Sequence, residues 1–440
     1  MKRHLDGRYL TASGAVTELN GALWNGSAPT GTKALIQVHS HLDVQRAVEI
    51  AAAHGLPVAA LNGGHDWVGR AISESGLTID MRALNHVSVD RQAQTLTLEG
   101  GALVKHALAA LPADRAFVCG VHTQVGISGL ALGGGYGKLN YRHGLATDAL
   151  QSAQVVLADG RSVRVDSGHN EDLFWALRGA GKNFAIASSL TFQIFPISEV
   201  LNGVFFIPLN CAAQGLMEVR ALLEDAGDRL SVFCSLTAIP GHGFGLIAEL
   251  LYEEANSGGQ GFANHLANVK GAVVIKCERV AYRDIFDESG DAQWPKGQGY
   301  EMDSHNLPAP LGTALIESIV ELARRAPAQC CIMLHDFHGL AAKVPEDATA
   351  FSHRRNHFNM QVVARWDPTD ADAHHIAHEW LAEVGNAIRP HAERGGYPSV
   401  LGVDSHDRAR QFYGANLARL QHIKEKYDCA NRFAARFGIA

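Results

Sequence analysis

Hydrophobic and polar positions change period twice within the first 60 residues, which predicts a strand, a helix and a second strand. The apolar run 34–38 is typical of a buried strand, and Val44 and Val48 belong to a series of apolar residues at helical spacing. Asp43 is expected to cap that helix. The run 57–61 then predicts a strand that leads into a polar, glycine-rich turn.

Short alternating segments continue this pattern as far as residue 195. Helices are expected over 104–111 and 172–178, and the Asp159-Gly160 pair predicts a tight hairpin. The predicted strands are 77–81, 87–90, 95–99, 153–157, 162–165 and 189–195.

The pattern changes near residue 201, where longer amphipathic helices join the alternating strands. Helices are predicted over 314–325 and 372–388, and the tail 408–427 is expected to form a helical segment. Further strands are predicted over 232–238, 244–252 and 360–366. This mixture indicates an α+β protein, and 440 residues suit two packed domains.

Glycine is concentrated in three turns that follow predicted strands, at 63–64, 120–137 and 179–181. The stretch 120–137 is not expected to form a regular element, because glycine loses too much backbone entropy on folding. Main-chain N–H groups exposed in such turns form concave anion sites, and the pyrophosphate of a dinucleotide suits them. The Rossmann fingerprint, a complete P-loop and the nucleophile elbow of serine hydrolases are all absent from the sequence.

Charge and composition exclude several classes of function. The net charge is −7 and no basic stripe is present, so no nucleic-acid partner is expected. No stretch approaches the roughly 18 apolar residues of a membrane span. Seven scattered cysteines without CxxC spacing suggest free thiols in the cytoplasm. His374 and His378 share a helical face but lack a third ligand, so no metal is expected.

Four segments carry a linked set of motifs in order along the chain. Asn-Gly-Gly-His-Asp occupies 62–66, and two further glycine-rich motifs occupy 120–135 and 178–184. The fourth is the tail 413–433, which contains Tyr-Gly-Ala-Asn at its start. Together these segments resemble the berberine-bridge-enzyme-like FAD-linked oxidases, within the vanillyl-alcohol-oxidase fold group, and the match covers essentially the whole chain.

This resemblance implies an α+β fold with a PCMH/VAO-type FAD-binding domain. That domain is expected over residues 1–200. An inserted substrate-binding domain, an antiparallel sheet covered by helices, is expected over 201–404. A C-terminal berberine-bridge-like segment, 405–440, is expected to complete the FAD domain.

The resemblance also implies a covalent FAD, bonded through His65 to the 8α-methyl group of the flavin. Many members carry a cysteine that makes a second bond, but the aligned residue here is His122. A single linkage is therefore expected, as in the 6-hydroxynicotine-oxidase-like branch. The predicted cofactor-binding residues are Asn62, Gly63, Gly64, His65, Asp66, His122, Thr123, Val125, Gly126, Ser128, Gly129, Gly133, Gly134, Gly135, Gly137, Asp148, Ile186, Tyr413 and Asn416.

Two further positions bear on the chemistry. Val125 aligns with the residue that admits or blocks oxygen in the family, and valine is the permissive kind. Val400 stands where many sugar and alcohol oxidases carry a catalytic tyrosine. The missing base mildly favours oxidation of a C–N bond, because a neutral amine loses hydride without such help. The candidate substitutes for that base are Tyr397, His357 and His338, and beyond these His353, Asp336 and Glu301.

The expected function is an FAD-dependent oxidase that takes a hydride from a small organic substrate to flavin N5. Oxygen is expected as the electron acceptor, with hydrogen peroxide as product, in secondary metabolism or in the catabolism of a heterocycle. The alternatives are a flavin-retaining cyclase or binder without redox activity, and a dehydrogenase with another acceptor. No membrane partner is expected, and the protein is expected to be a monomer or homodimer.

Overall fold

Three β-sheets organise the chain in a computed structural model that describes residues 6–253, 258–286, 293–402, 406–433 and 439. The first sheet has the order β1-β2-β4-β3, with β2 and β3 parallel to β4 and β1 antiparallel to β2. Its strands are β1 (Arg8–Thr11), β2 (Ala34–Gln37), β3 (Val58–Leu61) and β4 (Leu77–Asp80), with helices α1 (Ala12–Leu19) and α2 (His41–Ala53).

The predicted strand, helix and strand are confirmed, but the predicted cap of α2 is wrong. Ser40 is the N-cap, and its hydroxyl accepts a hydrogen bond of 3.2 Å from the backbone N–H of Asp43. The Asp43 carboxylate instead accepts bonds from the N–H groups of Asp6 and His39, outside the helix. Asp43 therefore ties the preceding loop to the first turn of α2.

The second sheet is antiparallel, with the order β5-β6-β9-β7-β8. The predicted hairpin at Asp159-Gly160 is confirmed, since β7 and β8 pair directly across it. The strands are β5 (Val87–Asp90), β6 (Thr95–Glu99), β7 (Leu150–Val156), β8 (Ser162–Asp166) and β9 (Ile186–Gln193). The helices of this part are α3 (Val104–Ala110), α4 (Ile127–Ala131), α5 (Asn140–His143) and α6 (Glu171–Ala180).

Helix α4 corrects the expectation that the glycine-rich stretch 120–137 contains no regular element. Four of its five residues are not glycine, and Ile127 and Ala131 are buried on the same side of the short helix. Two buried apolar side chains one turn apart stabilise this short helix by packing, although Gly129 lies at its centre.

The third sheet has seven antiparallel strands in the order β13-β10-β12-β11-β15-β16-β14. Its strands are β10 (Val200–Pro208), β11 (Leu230–Ile239), β12 (Gly243–Tyr252), β13 (Val273–Val280), β14 (Gly299–Pro308), β15 (Cys331–Phe337) and β16 (His357–Trp366). The helices are α7 (Ala212–Ala226), α8 (Gly258–Ala267), α9 (Thr313–Arg324), α10 (Leu340–Lys343) and α11 (Ala371–Ile388). The α+β class is thereby confirmed.

The two faces of the third sheet have different roles because side chains alternate along each strand. Ile332 and Leu334 of β15 pack into a core shared with α7, α9 and α11. Met333 and His335 of the same strand point to the other face, where they line a cavity. The helices thus cover one face of the sheet and leave the second face available for a site.

The predicted boundary between the FAD-binding domain and the substrate-binding domain, at residues 200 and 201, falls within β10 and stays a prediction.

The tail forms two helices, α12 (His406–Tyr413) and α13 (Leu417–Asp428), so the expected helical segment is interrupted. The break is the 3-10 turn Gly414–Asn416, where Gly414 adopts a positive φ of 50°. The predicted boundary at 404 and 405 lies outside the described residues, as do residues 434–438 and 440 of the predicted C-terminal segment.

A buried ion pair fixes the tail to the N-terminal half of the chain. Lys424 Nζ lies 2.6 Å from an Asp428 carboxylate oxygen and donates to the carbonyl oxygen of Asn183, also at 2.6 Å. The Asp428 carboxylate also accepts bonds from the N–H groups of Arg432 and Phe433. Both charged side chains are almost fully buried, so the charge of each is compensated by the other and not by water.

We expect Asp428→Ala to lower the free energy of unfolding by about 3 kcal/mol, because it leaves the Lys424 ammonium buried without its partner. Lys426→Met is the matched control on the same helix. Lys426 pairs with Asp172 at the surface and should contribute less than about 1 kcal/mol. Urea denaturation followed by circular dichroism measures both. Equal losses in the two variants would contradict the anchoring role of Asp428.

Candidate active site

A cavity of about 460 Å³ is lined by residues from all three sheets and from the tail. Ala59 of β3 and Ile186 of β9 lie in its lining, as do Gln361 of β16 and Phe433 of the tail. Residues that are far apart in sequence therefore meet around one space. Pockets of this kind, with a few polar groups on an otherwise apolar lining, are typical of cofactor and substrate sites.

The turn that follows β3 is in close contact with the second glycine-rich loop. A Cβ atom on Gly63 would lie 2.6 Å from both the carbonyl oxygen of Gln124 and the N–H nitrogen of Gly126. Gly64 has a positive φ of 68°, and a Cβ there would lie 2.4 Å from the carbonyl oxygen of Ala22. Glycine is required at both positions, and this contact places residue 65 beside the cavity.

His65 lines the cavity between two other aromatic side chains. Its ring stacks on Trp24 with centroids 4.9 Å apart and lies 4.8 Å from the ring of His122. Burial lowers the pKa of His65 to about 3, and the charges of His122 and Lys296 add to this effect. The imidazole is therefore neutral at physiological pH and keeps a nitrogen lone pair for nucleophilic attack.

Asp66 has a structural role in the same turn. Its carboxylate accepts a 2.9 Å bond from the N–H of Arg70 and pairs with the Arg70 guanidinium at 3.3 Å. That guanidinium also donates to the carbonyl oxygens of Leu401 and Gly402. The turn at 62–70 is thus linked to the segment that carries Tyr397 and Val400.

The polar groups of the cavity fit a dinucleotide. Asn62 donates to the Gly100 carbonyl oxygen at 2.6 Å, while its own side-chain oxygen is buried and has no hydrogen-bond partner among the described residues. The position of a Cβ on Gly129 is open, with no heavy atom within 4 Å. A free acceptor and an open backbone surface are the features that a bound FAD would use.

Eleven of the nineteen predicted cofactor-binding residues line the cavity. Ser128 is held there by a 2.8 Å bond from its hydroxyl to the Gly100 carbonyl oxygen, and Val125 lies beside it. The eleven are Asn62, Gly63, Gly64, His65, Asp66, His122, Val125, Gly126, Ser128, Gly129 and Ile186.

The remaining predicted residues lie behind the cavity wall. A Cβ on Gly137 would lie 2.0 Å from the Cys119 carbonyl oxygen, so the glycines of 133–137 serve close packing within the protein. Asp148 forms an ion pair with Arg354 at 2.7 Å. Tyr413 is buried in the core. Thr123 and Asn416 are the other positions behind the wall. The backbone carbonyl oxygen of Thr123 accepts a hydrogen bond from the N–H of Lys105. The side chain of Asn416 donates to the carbonyl oxygens of Glu346 and Thr349.

Of the three residues predicted as catalytic, Tyr397 lines the cavity. Its hydroxyl oxygen accepts a 3.1 Å bond from the N–H of Gly135. His357 is buried behind the wall, where its Nε2 lies 2.9 Å from the Tyr136 hydroxyl, and burial lowers its pKa well below the usual value. His338 contacts the Leu230 carbonyl oxygen at 3.0 Å, away from the cavity.

The further candidates are also engaged elsewhere. His353 lies 3.1 Å from a carboxylate oxygen of Glu393. Asp336 accepts bonds from the hydroxyl of Ser231 and the N–H of Val232, and Glu301 pairs with His378 on the surface. These contacts leave Tyr397 as the predicted candidate that reaches the cavity.

The structure adds cavity residues that the sequence did not identify. His335 of β15 stacks on Phe233 with centroids 4.3 Å apart, and burial lowers its pKa to about 4, so its ring is neutral. Gln361 on the next strand lies beside it. β15 was not among the predicted strands, and alternation along the predicted strand 360–366 does not say which of its faces meets the cavity. Further additions include Trp24, Trp67, Arg70, Lys182, Met333 and Ser399.

Comparison with known proteins agrees with this architecture. An FAD binding domain family matches residues 32–166, and the berberine and berberine like family matches residues 393–440. The chain is 29% identical to the FAD-linked oxidoreductase pgmH of Aspergillus terreus, over 93% of this chain and 89% of that protein.

Two further comparisons concern a bacterial enzyme and the fold. The chain is 32% identical to (R)-6-hydroxynicotine oxidase of Paenarthrobacter nicotinovorans, over 48% of this chain and 45% of that protein. Its fold is similar to that of a chitooligosaccharide oxidase, with a TM-score of 0.88, 22% identity and coverage of 98% and 97% of the two chains. Among the described residues, no helix is long and apolar enough to cross a membrane.

Proposed function

Since this chain belongs to the berberine-bridge-enzyme-like FAD-linked oxidoreductases, we propose that it is an oxidase that removes a hydride from a small organic substrate and uses oxygen as its electron acceptor. When bound, FAD accepts the hydride at flavin N5 and passes the electrons to oxygen, which yields hydrogen peroxide. The observation that carries the proposal is the neutral His65 beside a cavity with an unpartnered Asn62 oxygen and open main chain at Gly129.

His65 is proposed to hold FAD through a single covalent bond. Its low pKa favours the neutral imidazole that such a bond requires, and the stack on Trp24 fixes the plane of the ring. His122 lies next to it at the position where relatives carry a second linking residue. An imidazole at this position differs from the cysteine thiolate that forms the second bond in those relatives.

We expect the denatured protein to keep yellow flavin fluorescence on a gel, and His65→Ala to abolish it. His122→Ala is the matched control, because it removes the neighbouring imidazole while leaving the proposed bond in place. In-gel fluorescence and the intact mass of each variant measure attachment. Loss of fluorescence from the unmutated protein on denaturation would refute the covalent bond.

Val125 is proposed to admit oxygen to the site. Its backbone is fixed, since its carbonyl oxygen accepts the N–H of Val104 at 3.0 Å, and the residue lines the cavity. A larger side chain at this position would therefore extend into the cavity, because the main chain cannot retreat without breaking that bond.

We expect Val125→Leu to slow reoxidation by oxygen at least tenfold while reduction by substrate changes less. Val125→Ala is the matched control and should leave reoxidation at least as fast as in the unmutated protein. Stopped-flow absorbance follows the two half-reactions separately. Equal slowing of both half-reactions by leucine would argue against oxygen gating.

The substrate is proposed to be a small molecule oxidised at a C–N or C–O bond. The cavity combines aromatic walls at Trp67 and Trp294 with the polar side chains of His335 and Gln361, which suits a ring that carries a hydrogen-bonding group. The name of the 6-hydroxynicotine relative supports a heterocycle. A role in secondary metabolism or in heterocycle catabolism follows from such a substrate.

An anaerobic screen tests the activity itself. We expect the flavin absorbance near 450 nm to bleach with at least one member of a panel of amines, alcohols and hydroxy-heterocycles, and peroxide to appear when oxygen is admitted. Bleaching without peroxide would favour a dehydrogenase. A flavin that dithionite reduces but that every panel member leaves oxidised would favour a cyclase or a binding protein without redox activity.

A further inference from the structure

Strand β13 (Val273–Val280) forms one edge of the third sheet and presents apolar side chains to solvent. It pairs with β10 on one side, and no strand in the described part of the chain pairs with its other side. Val273, Val274 and Ile275 are 40%, 48% and 45% exposed. Such an edge is a template for pairing with another chain, and three successive exposed apolar side chains do nothing to prevent it.

A cation and an anion follow this apolar run on one face of the strand. Lys276 Nζ lies 2.9 Å from a carboxylate oxygen of Glu278, two residues further on, as expected for side chains that share a face. Cys277 lies between them and faces the other way, where it packs against the core under the helices. Its thiol is free. The order along the strand is therefore cation, thiol and anion.

This order is self-complementary when two copies of the strand meet antiparallel. With Cys277 opposite Cys277 of a second copy, Lys276 of each copy lies opposite Glu278 of the other. A shift of two residues in either direction places Lys276 opposite Lys276, or Glu278 opposite Glu278. Opposite charges on facing strands stabilise a sheet, and like charges destabilise it. Among the registers that keep both helix layers on the same side, the charges therefore favour the one centred on Cys277.

We propose that β13 is the interface of a homodimer in which two copies join their seven-stranded sheets antiparallel across Cys277. The run Val273–Ile275 of each copy then lies beside residues 279–281 of the other and loses contact with water. A second copy is the occupant that fits, because the same strand supplies both halves of the charge pattern.

The inference is independent of the proposed oxidase function. Strands β10, β12 and β11 separate β13 from β15, the strand whose Met333 and His335 line the cavity. Substitutions on β13 are therefore expected to leave the bound flavin unchanged, so the flavin absorbance reports whether each variant is folded.

Charge reversal tests the register. Analytical ultracentrifugation of the full chain over a dilution series should show a dimer. Lys276→Glu and Glu278→Lys each place like charges opposite one another, so we expect each to raise the dissociation constant of the dimer roughly tenfold or more. Lys33→Glu is the matched control, because it makes the same charge change at an exposed residue outside the third sheet. A monomer at every concentration, or a dimer that both reversals leave unaltered, would overturn the proposal.

Two rescues separate the interface from misfolding. The double variant Lys276→Glu with Glu278→Lys restores opposite charges across the pair, and we expect it to dimerise like the unmutated protein. An equal mixture of the two single variants should form a heterodimer, because an acidic strand then faces a basic one. Misfolded variants cannot produce either result. Failure of both rescues would contradict the proposed register.

Cross-linking through Cys277 tests the position of the axis. Directly opposite residues of an antiparallel pair have Cβ atoms about 4.5–5.5 Å apart, within reach of a disulfide after a small adjustment. Diamide, which takes one hydrogen from each of two thiols, should link two chains through Cys277, as read by non-reducing gel and peptide mass spectrometry. Cys277→Ser keeps the exposed Cys429 and should prevent the link. A link through Cys429 alone, or no link, would count against this axis.

Discussion

The structure depends on the absence of side chains where two loops meet. The turn after β3 and the loop before α4 approach so closely at Gly63 and Gly126 that a single Cβ atom on either would collide with the other loop. Because of this contact, His65, His122 and Val125 lie on one wall although nearly 60 residues separate them in sequence. Glycine's lack of a side chain thus determines the geometry on which a flavin site depends.

The sequence predicted most of the elements but little of their arrangement. Alternation identified strands in each of the three sheets, because such strands bury one face, but β1, β10, β13, β14 and β15 were not predicted. Two errors have local causes. Ser40 caps α2 where Asp43 was expected, and Gly414 interrupts the expected tail helix. In both cases a neighbouring residue offered the backbone a better local conformation than the periodic pattern suggested.

The sequence predicted the parts of the candidate site that lie in the glycine-rich motifs. It did not predict the cavity residues outside those motifs. Glycine-rich turns and His65 carry local signals, whereas Lys182 and Ser399 meet only because the tail side of the chain folds back onto the third glycine-rich turn. A lysine beside a glycine is an ordinary loop residue in sequence. Its environment, and therefore its acid–base character, is created by long-range packing that spacing alone does not contain.

The return of the tail to the first sheet also bears on synthesis of the protein. The Arg432 guanidinium bonds the carbonyl oxygens of Ala51, Leu56 and Ala158, and its own carbonyl oxygen accepts the N–H of Val58. Arg432 leaves the ribosome 274 residues after Ala158 and 381 residues after Ala51, so the edge of the first sheet stays uncovered until the tail is made. Until then the nascent chain exposes a strand edge, and exposed strand edges are prone to pair with other chains and aggregate.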